Sequence, residues 1–232
     1  MPNPFAFSLA STFPGAGTYP GNALYASQAW HYNMVGLPQA WTLTQGSNTV
    51  LVAVVDDGIS FAHPALAGVT TNDGYDFVPV GTATLCAGGT VSTNGDGDGP
   101  DPDPTQPSDR NFNGGGTCLQ DVSASGNHGL HVAGTIGAVR INSSGIVGVN
   151  WQVRIRPVRV LGIHTSGTNF TVAQGILYAA GLPADNGAGG TVTASGGPAR
   201  VINLSLGGGT FSTAMSTAVA QALANGSLIV AS

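Results

Sequence analysis

The feature that most restricts the fold of this 232-residue chain is an uninterrupted apolar run, Val50-Leu51-Val52-Ala53-Val54-Val55. A strand without polar alternation is buried on both faces, which is typical of parallel sheets covered by helices. Strand-like runs then alternate with helix-like segments: strands at 153–160, 200–206 and 228–231, and helices at 132–137, 170–180 and 212–224. In the last helix, the spacing of Met215, Val219 and Leu223 predicts that they share the inner face. The alternation predicts an α/β fold, a mostly parallel sheet with helices on both faces and right-handed crossovers.

The chain divides into an arm and one domain. Residues 1–36 carry aromatic side chains without a regular pattern and are expected to form an irregular N-terminal arm. Residues 37–232 are expected to form a single domain, in which the Gly-, Asp- and Pro-rich stretch 79–127 is an inserted loop. The last predicted strand, 228–231, has nothing after it to cover its edge, so we interpret the domain as incomplete at its C-terminus.

Composition excludes several classes of function. The chain has 6 basic residues, all of them Arg, 11 acidic residues and a net charge of −5. Nucleic-acid binding needs clustered Lys and Arg for phosphate contacts, so no nucleic-acid partner is expected. No membrane partner is expected either, because no apolar run approaches the roughly 18 residues of a spanning helix. The N-terminus lacks the basic and apolar regions of a signal peptide, so none is expected within this chain.

The two cysteines, Cys86 and Cys118, lie in Gly-, Asp- and Pro-rich sequence. A disulfide between them would close a loop of about 33 residues and stabilise the fold by roughly 3 to 4 kcal/mol on the chain-entropy model. The even number and the flexible setting favour this disulfide, which implies an oxidising compartment. Two free surface thiols are the alternative.

Two positions suggest catalysis from residue type alone. Asp56 directly follows the buried run, where an unpaired carboxylate is costly unless it finds a partner. His128 begins a Gly-rich helix that a backbone or a substrate can approach closely. An Asp that accepts a hydrogen bond from one imidazole nitrogen fixes the tautomer and leaves the other nitrogen as a general base. The alternatives are a turn or helix-cap role for Asp56 and a structural role for His128.

Three strings in the sequence carry a family resemblance: Val52-Ala53-Val54-Val55-Asp56-Asp57-Gly58-Ile59, His128-Gly129-Leu130-His131-Val132-Ala133-Gly134 and Val201-Ile202-Asn203-Leu204-Ser205-Leu206-Gly207-Gly208. In this order and spacing they resemble the subtilisin-like serine proteases (subtilases, peptidase family S8) of the secreted bacterial type, from about residue 25 to the end of the chain. The resemblance implies a subtilisin-like fold and a serine endopeptidase that hydrolyses peptide bonds through an Asp-His-Ser triad. It makes Asp56 the orienting carboxylate and His128 the general base, in the order that subtilisin has.

The resemblance also implies how a substrate binds. Ser205, Leu206 and Gly207 correspond to the segment whose backbone pairs with an extended peptide, and Ser166 and Gly167 correspond to the opposing segment. Main-chain hydrogen bonds on two strand edges tolerate varied side chains, so the expected partners are polypeptide substrates. The secreted bacterial members imply an extracellular location and a propeptide in the full-length protein.

The chain departs from the family pattern in two ways. Leu130 stands between the two histidines, where the family usually has Thr. The family nucleophile lies in a downstream Gly-Thr-Ser motif and the oxyanion Asn in an Ala-Gly-Asn string, and neither string occurs in this chain. Loss of the serine costs about 10⁶ in turnover in subtilisin itself, so the chain alone is expected to be inactive, with its nucleophile beyond residue 232. A degenerate subtilase that binds peptides without cutting them is the alternative.

An acidic run is the candidate for a metal site. Asp96, Asp98, Asp101 and Asp103 supply the carboxylate oxygens that calcium prefers, but no Glu closes an EF-hand loop, and a solvated acidic loop is the alternative. The chemistry that the resemblance implies requires no cofactor, so calcium here would be a structural ion. A phosphotransferase with Asp56 as nucleophile would need a Lys to balance phosphate charge, and the chain has none.

Overall fold

The computed structural model describes residues 25–106, 112–114, 119–121, 127–139, 146–163, 167–208 and 210–232. The helices are α1 (Tyr25–Met34), α2 (Leu37–Leu43), α3 (His128–Gly137), α4 (Asn169–Ala179) and α5 (Thr213–Ala224). The strands are β1 (Leu51–Asp56), β2 (Tyr75–Asp76), β3 (Thr82–Thr84), β4 (Thr90–Ser92), β5 (Phe112–Gly114), β6 (Leu119–Asp121), β7 (Arg154–Arg159), β8 (Ala184–Asp185), β9 (Thr191–Val192), β10 (Val201–Leu204) and β11 (Leu228–Ala231). None of the described helices has the length and apolar character needed to cross a membrane.

A five-stranded sheet in the order β11-β10-β1-β7-β2 forms the centre of the described structure, and its pairings are parallel. Strand β1 lies in the middle with all 6 of its residues buried, as the apolar run predicts. Leu51–Asp56 pairs in register with Arg154–Arg159 of β7. The prediction of an α/β fold with a parallel sheet is confirmed.

Helices cover both faces of this sheet. Leu51, Ala53 and Val55 lie in a core that includes buried residues of α4 and α5. Val52 and Val54 lie in a second core, which includes residues of α3. Because successive side chains of a strand point to opposite faces, one uninterrupted apolar run supplies both cores.

The inner face of α5 differs from the predicted one. Ala218 and Ala222 are buried, Met215 and Val219 pack beside the same core, and Leu223 is 52% exposed. The prediction for Leu223 is therefore wrong. Residues spaced by four drift by about 40° per step around a helix of 3.6 residues per turn, so Leu223 has rotated away from the face that Met215 begins.

The N-terminal segment is helical where the structure describes it, so the prediction of an irregular arm is wrong over Tyr25–Met34. The Gln28 side chain donates to the carbonyl of Val147 at 3.1 Å and accepts from its N–H at 3.0 Å. The hydroxyl of the buried Tyr32 donates to the same carbonyl. These tertiary contacts stabilise a short helix that would be marginal in isolation. The division at residue 36 stays a prediction, and residues 1–24 lie outside the described part.

The predicted insertion at 79–127 contains short antiparallel pairs where it is described, β3 with β4 and β5 with β6. Its acidic stretch is tied to the central sheet by Arg159, which is 1% exposed and forms ion pairs with Asp76 and Asp96. Cys118 lies outside the described residues, so its disulfide with Cys86 stays a prediction.

Candidate active site

The predicted carboxylate and imidazole meet at the carboxyl end of the sheet. Asp56 is the last residue of β1 and is 1% exposed, and His128 is the first residue of α3. The Nδ1 atom of His128 lies 2.8 Å from Oδ1 of Asp56, at hydrogen-bond distance. This contact engages one ring nitrogen, and the side chain of His128 is 47% exposed. The Nε2 atom is therefore the nitrogen that can face a substrate.

The buried carboxylate of Asp56 has a titratable side-chain partner. Its Oδ1 atom also accepts the N–H of Asp57 at 2.8 Å. Arg159 is its neighbour in register on β7, but that guanidinium donates to Asp76 and Asp96 instead. The side-chain partner of Asp56 is thus a histidine, which can gain and lose a proton near neutral pH.

The electrostatic environment makes the His128 imidazole more basic. Burial lowers the pKa of His128, but the hydrogen bond to Asp56 and the negative charges of Asp56 and Asp57 outweigh burial, so the pKa lies above its ordinary value. A carboxylate that favours the imidazolium favours the state that a general base reaches when it accepts a proton.

Asp57 has no role in the sequence-based interpretation, yet it touches the same helix. It is 2% exposed, and its carboxylate accepts the backbone N–H of His128 at 3.2 Å and of Gly129 at 2.6 Å. Burial raises the pKa of Asp57 to about 6, although the hydrogen bond from Gly129 acts to lower it. The Asp56-Asp57 doublet is the sequence feature that could have indicated a role for Asp57. Consecutive side chains at the end of a strand point to different sides, so each buried carboxylate needs its own partner.

Of the predicted substrate segments, Gly167 comes after β7 and residues 205–207 come directly after β10, each beyond the carboxyl end of its strand. Gly167 is exposed and directly precedes the N-cap of α4, and a Cβ atom there would lie 2.5 Å from a backbone oxygen. Ser205 and Leu206 are half-buried, and Gly207 is exposed. Ser166 lies outside the described residues. The binding roles of these five residues stay predictions.

Leu130 is accommodated without disturbing the contact between Asp56 and His128. It packs half-buried against the core beneath α3. With His63 and His131 it lines a mainly apolar cleft of about 220 Å³. A leucine at this position is therefore compatible with the Asp–His pair.

The acidic run is engaged in local contacts. Asp96 pairs with Arg159 at 2.5 Å. Asp101 accepts the N–H of Asp103 at 2.8 Å, and Asp103 accepts the N–H of Thr105 at 3.0 Å. Within the described ranges, no three His, Cys or acidic side chains converge as a metal site would require. Calcium binding by this run, which includes Asp98, stays a prediction.

Proteins similar to this chain are proteases. An extracellular protease of Xanthomonas campestris pv. campestris is 32% identical over 223 residues, which cover 92% of this chain and 34% of that protein. Thermitase of Thermoactinomyces vulgaris is 33% identical over 207 residues, 89% of this chain and 54% of that protein. A solved protease structure from Pseudoalteromonas arctica has a TM-score of 0.74 and 33% identity, over 91% of this chain and 58% of that chain.

The family assignment follows from the extent of the match. The subtilase family (Peptidase S8) matches residues 47–232, which include both Asp56 and His128. This chain belongs to the subtilase family. It spans between 34% and 58% of the lengths of the three proteins compared above.

Proposed function

We propose that this chain is part of a serine endopeptidase in which Asp56 orients His128 and His128 acts as the general base. The observation that carries the proposal is the 2.8 Å contact between Asp56 Oδ1 and His128 Nδ1 at the carboxyl edge of the parallel sheet. A buried carboxylate in this position stabilises the imidazolium that forms when Nε2 accepts a proton. The names of the relatives, an extracellular protease and thermitase, support peptide hydrolysis as the reaction.

In this mechanism, a serine hydroxyl encoded beyond residue 232 attacks the peptide carbonyl while Nε2 of His128 accepts the hydroxyl proton. The imidazolium then donates that proton to the leaving amine, and a water molecule repeats the sequence to release the acyl group. The hydrogen bond to Asp56 keeps the proton on Nδ1 and the lone pair on Nε2. No Gly-Thr-Ser string occurs in the present sequence, so these 232 residues alone are expected not to hydrolyse peptides.

The proposed substrate is a polypeptide in extended conformation, held between the segments 166–167 and 205–207. The exposed Gly167 and Gly207 present backbone without side chains, which suits main-chain hydrogen bonding to a peptide of varied sequence. A cleft of about 180 Å³ beside Gly167, lined also by Val78 and Val160, could take one apolar substrate side chain.

The same proposal includes where the full-length protein is located. The relative from Xanthomonas is named an extracellular protease, which supports secretion of the full-length protein. A Cys86–Cys118 disulfide would form in that oxidising environment. A propeptide and a structural calcium ion at the acidic run complete the proposal.

The test uses the full-length protein with a peptide p-nitroanilide as substrate. The wild type is expected to release nitroaniline and to be labelled irreversibly by a serine-directed fluorophosphonate. His128→Ala is expected to lose turnover by a factor on the order of 10⁶, because no base then activates the hydroxyl. His131→Gln, on the exposed side of the same helix, is the matched control and is expected to keep turnover within about twofold. Unchanged turnover in His128→Ala would refute the role of His128.

A second candidate function is peptide binding without cleavage. The observation that favours it is Leu130 in place of the usual Thr. A full-length protein that binds the peptide but shows neither turnover nor fluorophosphonate labelling would establish this alternative.

A further inference from the structure

The helix that carries His128 has no cap of its own. The N-cap position of α3 is Asn127, and its side chain makes no capping hydrogen bond. The first N–H groups of a helix need acceptors from elsewhere when they are buried. Here the acceptor is the carboxylate of Asp57, which takes the N–H of His128 on Oδ2 and that of Gly129 on Oδ1. The cap therefore comes from the residue that follows β1, 71 residues earlier in the chain.

The start of α3 also packs closely against the residues that follow β1. A Cβ atom on Gly129 would lie 2.4 Å from the carbonyl oxygen of Gly58 and 2.8 Å from Oδ1 of Asp57, so only glycine fits. The side-chain amide of Gln106 donates to Oδ2 of Asp57 at 3.2 Å and fixes the carboxylate from a third segment. With 2% exposure, Asp57 has little freedom to turn away from the helix.

We propose that Asp57 is a positioning residue for the catalytic base: its carboxylate fixes the backbone of His128 and Gly129, while Asp56 fixes the imidazole ring. The inference rests on the proposed function, because it assigns a role within the same proton transfer. Two neighbouring carboxylates thus divide the task. Asp56 sets the tautomer of the imidazole ring, and Asp57 sets the position of the backbone that carries the ring.

The electrostatics add a second consequence. Among the residues that the structure describes, the titratable groups whose charges act on Asp57 are Asp56 and His128, and the Gln106 amide is its neutral neighbour. The negative charge of Asp57 contributes to raising the pKa of His128. A general base must be neutral to act, so activity falls as pH drops through the pKa of His128. Removing the charge of Asp57 should lower that pKa and let activity persist to lower pH.

The experiment compares Asp57→Asn, Asp57→Ser and Asp57→Ala in the full-length protein. Asp57→Ala removes both the acceptor and the charge, and kcat is expected to fall on the order of tenfold with KM within about twofold. Serine is a good helix-capping residue without charge, so Asp57→Ser is expected to recover part of the lost kcat. In all three variants the acidic limb of kcat/KM is expected to move to lower pH by on the order of half a unit. Asp185→Asn is the matched control, because Asp185 caps an exposed turn remote from α3.

A second readout does not depend on hydrolysis. The imidazole resonance of His128, identified by its loss in His128→Ala, is titrated by NMR in the wild type and in Asp57→Asn. A folded Asp57→Asn with the same His128 titration and the same kcat overturns the inference. Reduced thermal stability with an unchanged pH profile also overturns it, because the cap would then be structural only. Retained turnover in His128→Ala would instead refute the proposed function, so the two failures are distinguishable.

Discussion

Two acidic sites beside the central sheet, one buried and one partly buried, behave in opposite ways. At the carboxyl end of β1, Asp56 and Asp57 face a histidine, and burial raises the pKa of Asp57 to about 6. On β7, three residues before its end, Arg156 is fully buried and pairs with Asp73 at 2.5 Å. Burial acts to raise the pKa of Asp73 as well, but the hydrogen bond and charge of Arg156 outweigh it and lower the pKa to about 2.

At Asp73 the partner outweighs partial burial, whereas at Asp76, whose partner Arg159 is also a guanidinium, nearly complete burial still raises the pKa to about 7. A guanidinium stays charged at all ordinary pH values, so it locks Asp73 in the ionised form and makes the pair a permanent tie. The tie extends further, because Arg156 also donates to the carbonyl of Gly197 at 2.7 Å and Asp73 accepts the N–H of Gly196 at 2.9 Å. An imidazole can exchange its proton near neutral pH, so the Asp56–His128 pair can take part in chemistry. The ability of the partner to exchange a proton, together with the depth of burial, distinguishes the two uses.

The largest predicted effect concerns the charge of Asp56. A variant that loses this charge and keeps its activity would contradict the comparison between the two sites. Asp56→Asn keeps the shape of the side chain but presents an amide that favours the wrong imidazole tautomer. We expect kcat in the full-length protein to fall by about 10⁴ with little change in KM. The measurement is steady-state hydrolysis of a peptide p-nitroanilide. A loss of less than about tenfold would mean that Asp56 is a structural residue like Asp73.

The same comparison predicts a loss of stability, but not of chemistry, at the second site. Asp73→Ala leaves the buried guanidinium of Arg156 without its counter-ion and is expected to lower the free energy of unfolding by about 3 kcal/mol. Urea unfolding followed by circular dichroism measures this loss, and kcat at saturating substrate is expected to stay within about twofold of the wild type. Asp185→Ala, at an exposed turn, is the control and is expected to change stability by less than about 0.5 kcal/mol. A large fall in kcat with little loss of stability would indicate that Asp73 has a catalytic role, and the proposed difference between Asp56 and Asp73 would be wrong.

Two glycines of α3 test whether the position of the helix start affects turnover. Gly129→Ala would place a methyl group 2.4 Å from the backbone of Gly58, so the start of the helix must move and carry His128 with it. A displacement of this kind can cost on the order of 10² in turnover. Gly134→Ala would meet only the flexible end of Ile146, at 3.2 Å, and serves as the matched control. Equal kcat values for the two variants would show that the position of the helix start does not matter for turnover.

The sequence predicted those parts of the molecule whose pattern is local. The run 50–55 and its alternation with helical segments predicted β1 and the parallel sheet, because a strand buried on both faces carries mostly apolar side chains. The family strings brought Asp56 and His128 together as candidates, and the structure places their side chains in contact.

Features that depend on long-range contacts escaped prediction. Capping rules examine the residue next to a helix, here Asn127, whereas the acceptor for α3 is Asp57. Helix α1 has weak apolar periodicity and depends on the backbone of Val147 for its contacts. Arg156 would be expected at the surface from its type, because nothing nearby in the sequence announces that Asp73 will neutralise it.

The smallest expected effect is a difference in how stability responds to pH. An unfolded Asp has a pKa of about 4. Between pH 6 and pH 4 the folded state binds a proton at Asp57 before the unfolded state does, so acidification should stabilise the fold. Between pH 4 and pH 2 the unfolded state takes up the proton first at Asp73, so acidification should remove stability that the ion pair contributes above that range. Urea unfolding at several pH values should therefore show that Asp57→Asn weakens the first dependence, to which the raised pKa of Asp76 also contributes, and keeps the second. If instead Asp57→Asn leaves the slope between pH 6 and pH 4 unchanged, Asp57 is ionised throughout that range and the two sites do not differ in the way their partners imply.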